Sequence, residues 1–399
     1  MITEFVLAGL GYYSYHKIKN FKVKNIFKMI NEDNKLGYNI IDVRKTVYGY
    51  ILEVSLNSQG FKDLESKKDI FQTAYGAYID IQQNTNLKTA SVYVITEQLI
   101  DTFPFTPVKV QPWELYLGKT YTMKDVIVSM KDLPHVLYSG INSSGKTYCV
   151  VTALLNLSIF NTKRDIEIYL AQISAKKDLR KFKDLKQCRG YAETLEEAYS
   201  MFQYLYHVML KRIGLFNAVK DTYIDTIYEW NKTFPKRKMR VIYLSMDEFT
   251  AYMPDSLDNE KEAAIKQKCL DLLIKLIQQC RCAGIYIIAC LQRPDKESFP
   301  PRLKAQFNCK VSFKQPNIAS SLVVVDSEKA FYVKPKREAI VNADQEYLMK
   351  TLYLDNEMIL DFLKENLDLE HTNYYDLEKQ GKEKPQKSKG RVKIDNAKG

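Results

Sequence analysis

The run GINSSGKT, Gly140 to Thr147, has the residue types and spacing to hold a phosphate group. It stands between an apolar strand-like run, VLYS, and a helix-like run, CVVTALLNLSI. Small residues in such a turn let backbone N–H groups wrap phosphate oxygens, and the helix amino terminus adds its dipole. In this pattern Gly140, Asn142, Ser143, Ser144, Gly145, Lys146, Thr147 and Tyr148 make the cradle. Lys146 neutralises β- and γ-phosphates, and the Thr147 hydroxyl ligates magnesium. A fortuitous glycine turn is the alternative, which the strand and helix on either side disfavour. ATP with Mg2+ is the expected ligand.

A second constellation, VIYLSMDE (Val241 to Glu248), is a hydrophobic strand ending in two carboxylates. Asp247 suits the magnesium shell, while Glu248 can orient and deprotonate an attacking water. Many strands end in acidic turns, so the pair gains meaning only from the phosphate loop upstream. Together they point to hydrolysis. A third element, GIYIIACLQRPD (Gly284 to Asp295), puts Gln292 at the carboxyl end of another apolar strand, where it can sense the γ-phosphate. The catalytic set expected from the residues is therefore Lys146, Glu248 and Gln292, with Thr147 and Asp247 on the metal.

These residues need a scaffold that brings several strand ends together. From residue 135 onward strand and helix patterns alternate. Strands are expected at His135–Ser139, Ile166–Ala171, Val241–Met246, Ile285–Cys290 and Cys309–Phe313. Helices are expected at Lys146–Phe160, about Thr194–Phe216 and about Glu262–Cys280. Such alternation predicts an α/β fold with a doubly wound, mostly parallel sheet. The last helix carries Ile265, Cys269, Leu272, Leu273, Leu276, Ile277 and Cys280 on one face, the spacing of a core-packed helix. Residues 36–112 read as a small α+β domain, with a strand at Thr46–Leu56, a helical stretch at Phe61–Tyr78 and a strand at Ser91–Thr96. It ends in a proline-rich linker. Residues 113–378 are the expected catalytic domain.

With 399 residues, 46% of them hydrophobic, the chain has the apolar mass for two cores, and wholly disordered or collagen-like classes are excluded. Seven scattered cysteines without a CxxC pair suit a reducing cytoplasm and give little support to a zinc site. The net charge of +11 sits mostly at the ends: +6 on residues 379–399 and +4 on 16–35, against −1 on 1–15 and only +2 on 36–378. The tail reads as a disordered basic segment. Residues 2–15 are apolar but shorter than the roughly 20 residues that span a bilayer. Residues 1–35 leave two readings open: a basic amphipathic segment on the inner face of the cell membrane, or a helix docked on protein.

The ordered series of motifs resembles the FtsK/SpoIIIE family of ring-forming DNA translocases, within the wider HerA/FtsK superfamily that includes conjugative coupling ATPases. The resemblance covers about Leu133 to Asp326. It rests on PHVLYSGINSSGKT, VIYLSMDEFTAYMP and CRCAGIYIIACLQRPD, with YLYHVMLKRIGLF (Tyr204 to Phe216) and DTIYEWN (Asp225 to Asn231) between them. It implies a RecA-like P-loop ATPase that threads DNA through a homohexameric ring, with an arginine reaching into the neighbouring subunit's site. Three departures stand out. Gln172-Ile173-Ser174-Ala175-Lys176 replaces the family's usual Asp-Pro-Lys. The aligned finger position is Lys310, leaving Arg281, Arg293 and Arg302 as other candidates. The chain after the last strand is too short for a winged-helix reader.

The function these observations imply is ATP-driven DNA translocation, as a conjugative-transfer coupling protein of a mobile element. Its partners would be DNA, a relaxase and transfer-channel proteins. A viral genome-packaging ATPase and a cytosolic DNA pump are alternatives within the superfamily. An ATP-switched DNA-recruitment protein is the alternative of another class.

Overall fold

The computed structural model describes residues 21–364, apart from 47, 58, 97–102, 175–177, 221 and 293–300, together with residue 367. The chain divides near residue 100 into a small unit, which also takes Tyr121–Lys124, and a large unit.

In the small unit a helix over residues 21–33 (α1) precedes a four-stranded antiparallel sheet of order β1-β2-β4-β3: β1 Asn39–Thr46, β2 Gly49–Ser55, β3 Tyr78–Gln83 and β4 Thr89–Ile95. Two short helices, α2 Phe61–Ser66 and α3 Lys68–Tyr75, join β2 to β3. The expected single helix to Tyr78 is thus two, and Gly76 in the left-handed region ends the second, so that Tyr78 opens a strand. On α1, Val23, Phe27 and Ile30 are buried in this unit's core, and the Phe27 ring stacks on Phe71 at 5.2 Å. The face of α1 that carries Val23, Phe27 and Ile30 is committed to protein, while Phe21 and Met29 are exposed. Residues 1–20, which carry the rest of the membrane reading, lie outside the described residues, as does the basic tail. No helix among the described residues is long and apolar enough to cross a membrane.

The large unit is a ten-stranded sheet in the order β6-β5-β14-β13-β12-β7-β11-β10-β8-β9. Six strands form its parallel half: β7 Val136–Ser139, β8 Ile166–Ala171, β9 Cys188–Ala192, β10 Val241–Met246, β11 Ile285–Leu291 and β12 Cys309–Phe313. The other four, β5 Glu114–Thr120, β6 Asp125–Ser129, β13 Glu338–Asn342 and β14 Glu346–Lys350, extend it antiparallel from β12. All five expected strands of this unit are present. The antiparallel extension and β9 were not foreseen, because their mixed polar and apolar residues lack the continuous apolar run of a strand buried on both faces.

Alternation along the parallel strands supplies two cores. Tyr243, Tyr286 and Ile288 point into one, while Ile242, Leu244, Ile285 and Ile287 point into the other. Helix α4, Lys146–Phe160, covers the first face and is apolar nearly all round because β5 and the sheet enclose it. Helices α5, Leu195–Asn217, and α7, Glu260–Gln279, cover the second, with α6, Ile227–Thr233, between them in the chain and α9, Ile318–Val325, after β12. A capping box at Thr194 and Glu197 starts α5. On α7, Cys269, Leu273, Leu276 and Ile277 are buried, as the sequence spacing predicts.

Residues 103–112, read as a linker, run in irregular backbone along α4. The buried Asn156 amide of α4 exchanges two 2.8 Å hydrogen bonds with the Val108 backbone. Phe105 pairs with residue 353, through Phe105 N–H to the Tyr353 carbonyl at 2.9 Å and Tyr353 N–H to the Phe103 carbonyl at 2.8 Å.

Candidate functional site

The phosphate loop leaves the carboxyl end of β7 and opens α4 at Lys146. Its geometry explains both glycines. A Cβ on Gly140 (φ 148°) would stand 2.7 Å from the Phe313 Cβ, and one on Gly145 (φ 120°) would stand 2.7 Å from the Arg337 Cα. Between them Ser143 occupies the left-handed region at φ 61°. Lys146 is buried, and its ammonium donates to the loop's own Gly140 carbonyl and, at 3.3 Å, to that of Ile141.

One strand away from β7 lies β11, and β10 is the next. This order puts Gln292, just past β11, between the phosphate loop and the carboxylates that follow β10. Gln292 N–H donates to Glu248 Oε1 at 3.4 Å, and the Thr250 hydroxyl donates to the same oxygen at 2.9 Å. Ser174 Oγ donates to Asp247 Oδ2. The other oxygen of each acid, Asp247 Oδ1 and Glu248 Oε2, is buried without a hydrogen-bond partner. Burial raises both carboxyl pKa values above the ordinary range. For Glu248 the nearby Lys146 charge works against that rise. Two unpaired hard oxygens fit a divalent cation and a water, whose charge and protons would complete them.

These parts line a cavity of about 510 Å3, the size class of small-molecule sites. All eight cradle residues except Gly140 line it, together with Asp247 and Gln292. Gly140 and Glu248 do not line it; Glu248 adjoins it through the bond it accepts from Gln292. The cavity continues away from the phosphate loop, between Leu179 and Lys181 on one side and Leu354, Asn356 and Ile359 on the other. The last two belong to α11, Asn356–Leu363, capped by Asp355. Sequence reasoning missed this second end, and also Gln172 and Ser174, which line the cavity where the family pattern is broken. The position of both just past an apolar strand, β8, was the signal available.

The three finger candidates among the described residues lie apart from this cluster. Arg281 is exposed at the amino end of β11, the edge opposite Gln292. Arg302 is exposed on a short helix, α8, Pro301–Lys304. Lys310 is half-buried on β12, and desolvation lowers its pKa. Arg293 lies outside the described residues. None of the other three lines the cavity of its own chain. His135, ahead of β7, is buried and neutral. Its Nδ1 accepts from Ile287 N–H at 3.1 Å, which leaves Nε2–H to donate to the Ile277 carbonyl at 3.0 Å. It ties β7 to β11 and α7, and so fixes the level of the loop.

No family model matches the chain. Among curated proteins it is similar to DNA translocase FtsK of Chlamydia pneumoniae, 25% identical over 232 residues, which cover 54% of this chain and 27% of the relative. FtsK of Caldanaerobacter subterraneus subsp. tengcongensis is 22% identical over 294 residues, 70% of this chain and 38% of the relative. The match to these relatives thus spans between about a quarter and two fifths of their length. Among solved structures, the pCW3 conjugation coupling protein TcpA, in a monomer form with ATPγS, superposes with a TM-score of 0.61 at 16% identity, over 87% of this chain and 99% of that one. EssC (ATPases 2 and 3) from Geobacillus thermodenitrificans gives 0.56 at 15% identity, over 72% and 54%. The fold is that of the P-loop ATPases of the FtsK/HerA type. In sequence the chain is similar to the FtsK translocases.

Proposed function

We propose that the chain binds ATP at this cavity and hydrolyses it to move DNA. The observation that carries the reading is the pair of unpaired buried oxygens, Asp247 Oδ1 and Glu248 Oε2, beside the loop that holds Lys146. A nucleotide-binding module without turnover has no use for a second desolvated carboxylate. The Ser144–Thr147 backbone and the Lys146 ammonium would take the phosphates, with Lys146 exchanging loop carbonyls for phosphate oxygens. Thr147 and Asp247 would hold Mg2+, which when bound neutralises charge that builds on the phosphate oxygens. Glu248, kept basic by burial and oriented by Thr250 and Gln292, would align a water and take its proton. Through its backbone bond to Glu248, Gln292 would register the loss of the γ-phosphate. Leu179, Ile359 and Asn356 would receive the nucleoside.

The role as a conjugative coupling protein takes its support from the likeness to TcpA, which extends over nearly that whole chain. A ring assembly, a trans-acting basic residue among Arg281, Arg293, Arg302 and Lys310, and partnership with a relaxase and a transfer channel complete the proposal. A direct test measures phosphate release with and without duplex DNA, alongside displacement of a triplex-forming strand. DNA-stimulated turnover with displacement supports translocation. ATP binding with negligible DNA-stimulated turnover assigns the chain to ATP-switched recruitment instead.

A further inference from the structure

Residues 333–337 join a short helix, α10, Lys329–Tyr332, to β13 and pass directly against the phosphate loop. Two consecutive residues of this strap, Lys336 at φ 77° and Arg337 at φ 74°, stand in the left-handed region although neither is glycine. L-residues visit that region singly and at a cost, so a consecutive pair persists only where its surroundings over-determine it. Here the surroundings are the nucleotide cavity's own walls. Arg337 N–H donates to the Ser144 carbonyl at 2.7 Å, and Thr351 N–H donates to the Arg337 carbonyl at 2.9 Å. The Arg337 Cα fills the space that a Gly145 Cβ would take. Its guanidinium lies 5.6 Å from the Tyr148 ring centroid and 5.4 Å from that of Tyr353, in a residue only 8% exposed. Tyr148 stands on the first turn of α4 in the phosphate end of the cavity. Tyr353 immediately precedes Leu354, in the wall of the other end.

We propose that Arg337 is a positioning residue for the nucleotide. Without lining the cavity it braces the phosphate loop from behind and ties it, through the two rings, to the nucleoside-side wall. The inference rests on the nucleotide reading above. It adds that the two ends of the cavity are set at their working separation by one side chain on a strained strap.

The test uses the full chain and measures two quantities for each protein: the affinity for Mg2+ and ATPγS by calorimetry, and the thermal midpoint without nucleotide. Arg337→Gly relieves the left-handed strain and deletes the cation that neighbours both rings. It is expected to keep the midpoint within about 3 °C of wild type while ATPγS binds at least about tenfold more weakly. Inorganic tripolyphosphate, which needs only the phosphate end, should lose less. Arg337→Lys keeps the charge but not the planar guanidinium within reach of both rings, and should remain weak for ATPγS. Affinity within about twofold of wild type in both variants overturns the proposal. So does a fall of midpoint and affinity together in both, which would make Arg337 a packing residue only. A wild-type protein that binds neither ATPγS nor tripolyphosphate overturns the nucleotide reading together with this one, and is told apart because no variant then has affinity to lose.

Discussion

The two ends of the cavity are built in opposite ways. The phosphate end comes from strand ends of the parallel half, where adjacent β7, β11, β10 and β8 each deliver a short motif to the same edge. The other end is assembled from residues 178–181, in the connection from β8 to β9, and from 354–359, which follow the antiparallel strand β14. At one end, chemistry restricts the residue types: small residues to approach phosphate, one ammonium, two carboxylates. At the other, apolar residues (Leu179, Leu354, Ile359) alternate with polar ones (Asp178, Lys181, Asp355, Asn356) in no recognisable motif, and many residue types would serve. A site can therefore be half conspicuous and half silent in the same sequence.

The largest expected effects fall at the phosphate end. Lys146→Ala should remove nucleotide binding or turnover. Glu248→Gln should still bind ATP but lose at least about a hundredfold in hydrolysis, a loss of roughly 2.7 kcal/mol of barrier lowering. Single-turnover phosphate release together with a binding titration checks both. Near-normal turnover in the Glu248 variant would break the comparison, since the buried acid would then have no catalytic work.

What was legible follows the same division. Lys146, Asp247, Glu248 and Gln292 converge as the motif spacing implies, because each motif is contiguous and sits where a predictable strand ends. Helix α4 begins and ends at the residues expected, since Gly145 and the apolar run fix it. Strands β13 and β14 escaped notice, and so did Arg337, whose role lies in contacts with Ser144, Tyr148 and Tyr353, residues distant in sequence or unremarkable in type. Ser174 replaces a family residue and still reaches Asp247. The chemical demand on that carboxylate is met by a hydroxyl, which a motif search passes over.

A smaller effect should separate the two ends. Lys181 Nζ donates to the Asn356 side chain at 3.2 Å across the mouth of the nucleoside end, and Asn356 is exposed. Asn356→Ala should weaken ATPγS binding about fivefold, the worth of one hydrogen bond. The affinity for inorganic tripolyphosphate should stay unchanged. Equal losses for both ligands would merge the two ends into one and sink the distinction.

The smallest expected effect is on stability, and of the two ends only the phosphate end carries it. Burial raises the carboxyl groups of Asp247 and Glu248. In the window between the unfolded value near about 4 and the raised folded values, the native state binds more protons than the unfolded chain. Stability without nucleotide therefore falls as pH rises through that window, and the full penalty is present above it. His135 acts in the opposite sense. Burial lowers its pKa to about 4, so its stabilising contribution is complete above the ordinary histidine value and is lost as pH falls from there through about 4. The raw melting profile mixes the two slopes. The difference between wild type and Asp247→Asn cancels the histidine and isolates the carboxylate. At neutral pH Asp247→Asn should melt a few degrees higher than wild type, and the gain should shrink toward pH 4. Mg2+ with ATPγS should close the gap, because the bound cation satisfies the wild-type oxygen that the amide variant no longer offers. Asn356→Ala, which removes no carboxylate, should show no pH-dependent difference over this window. An Asp247→Asn protein that melts with or below wild type at neutral pH would mean that the unpaired Oδ1 costs the fold nothing. The phosphate end would then lose its claim to be held in readiness for a cation.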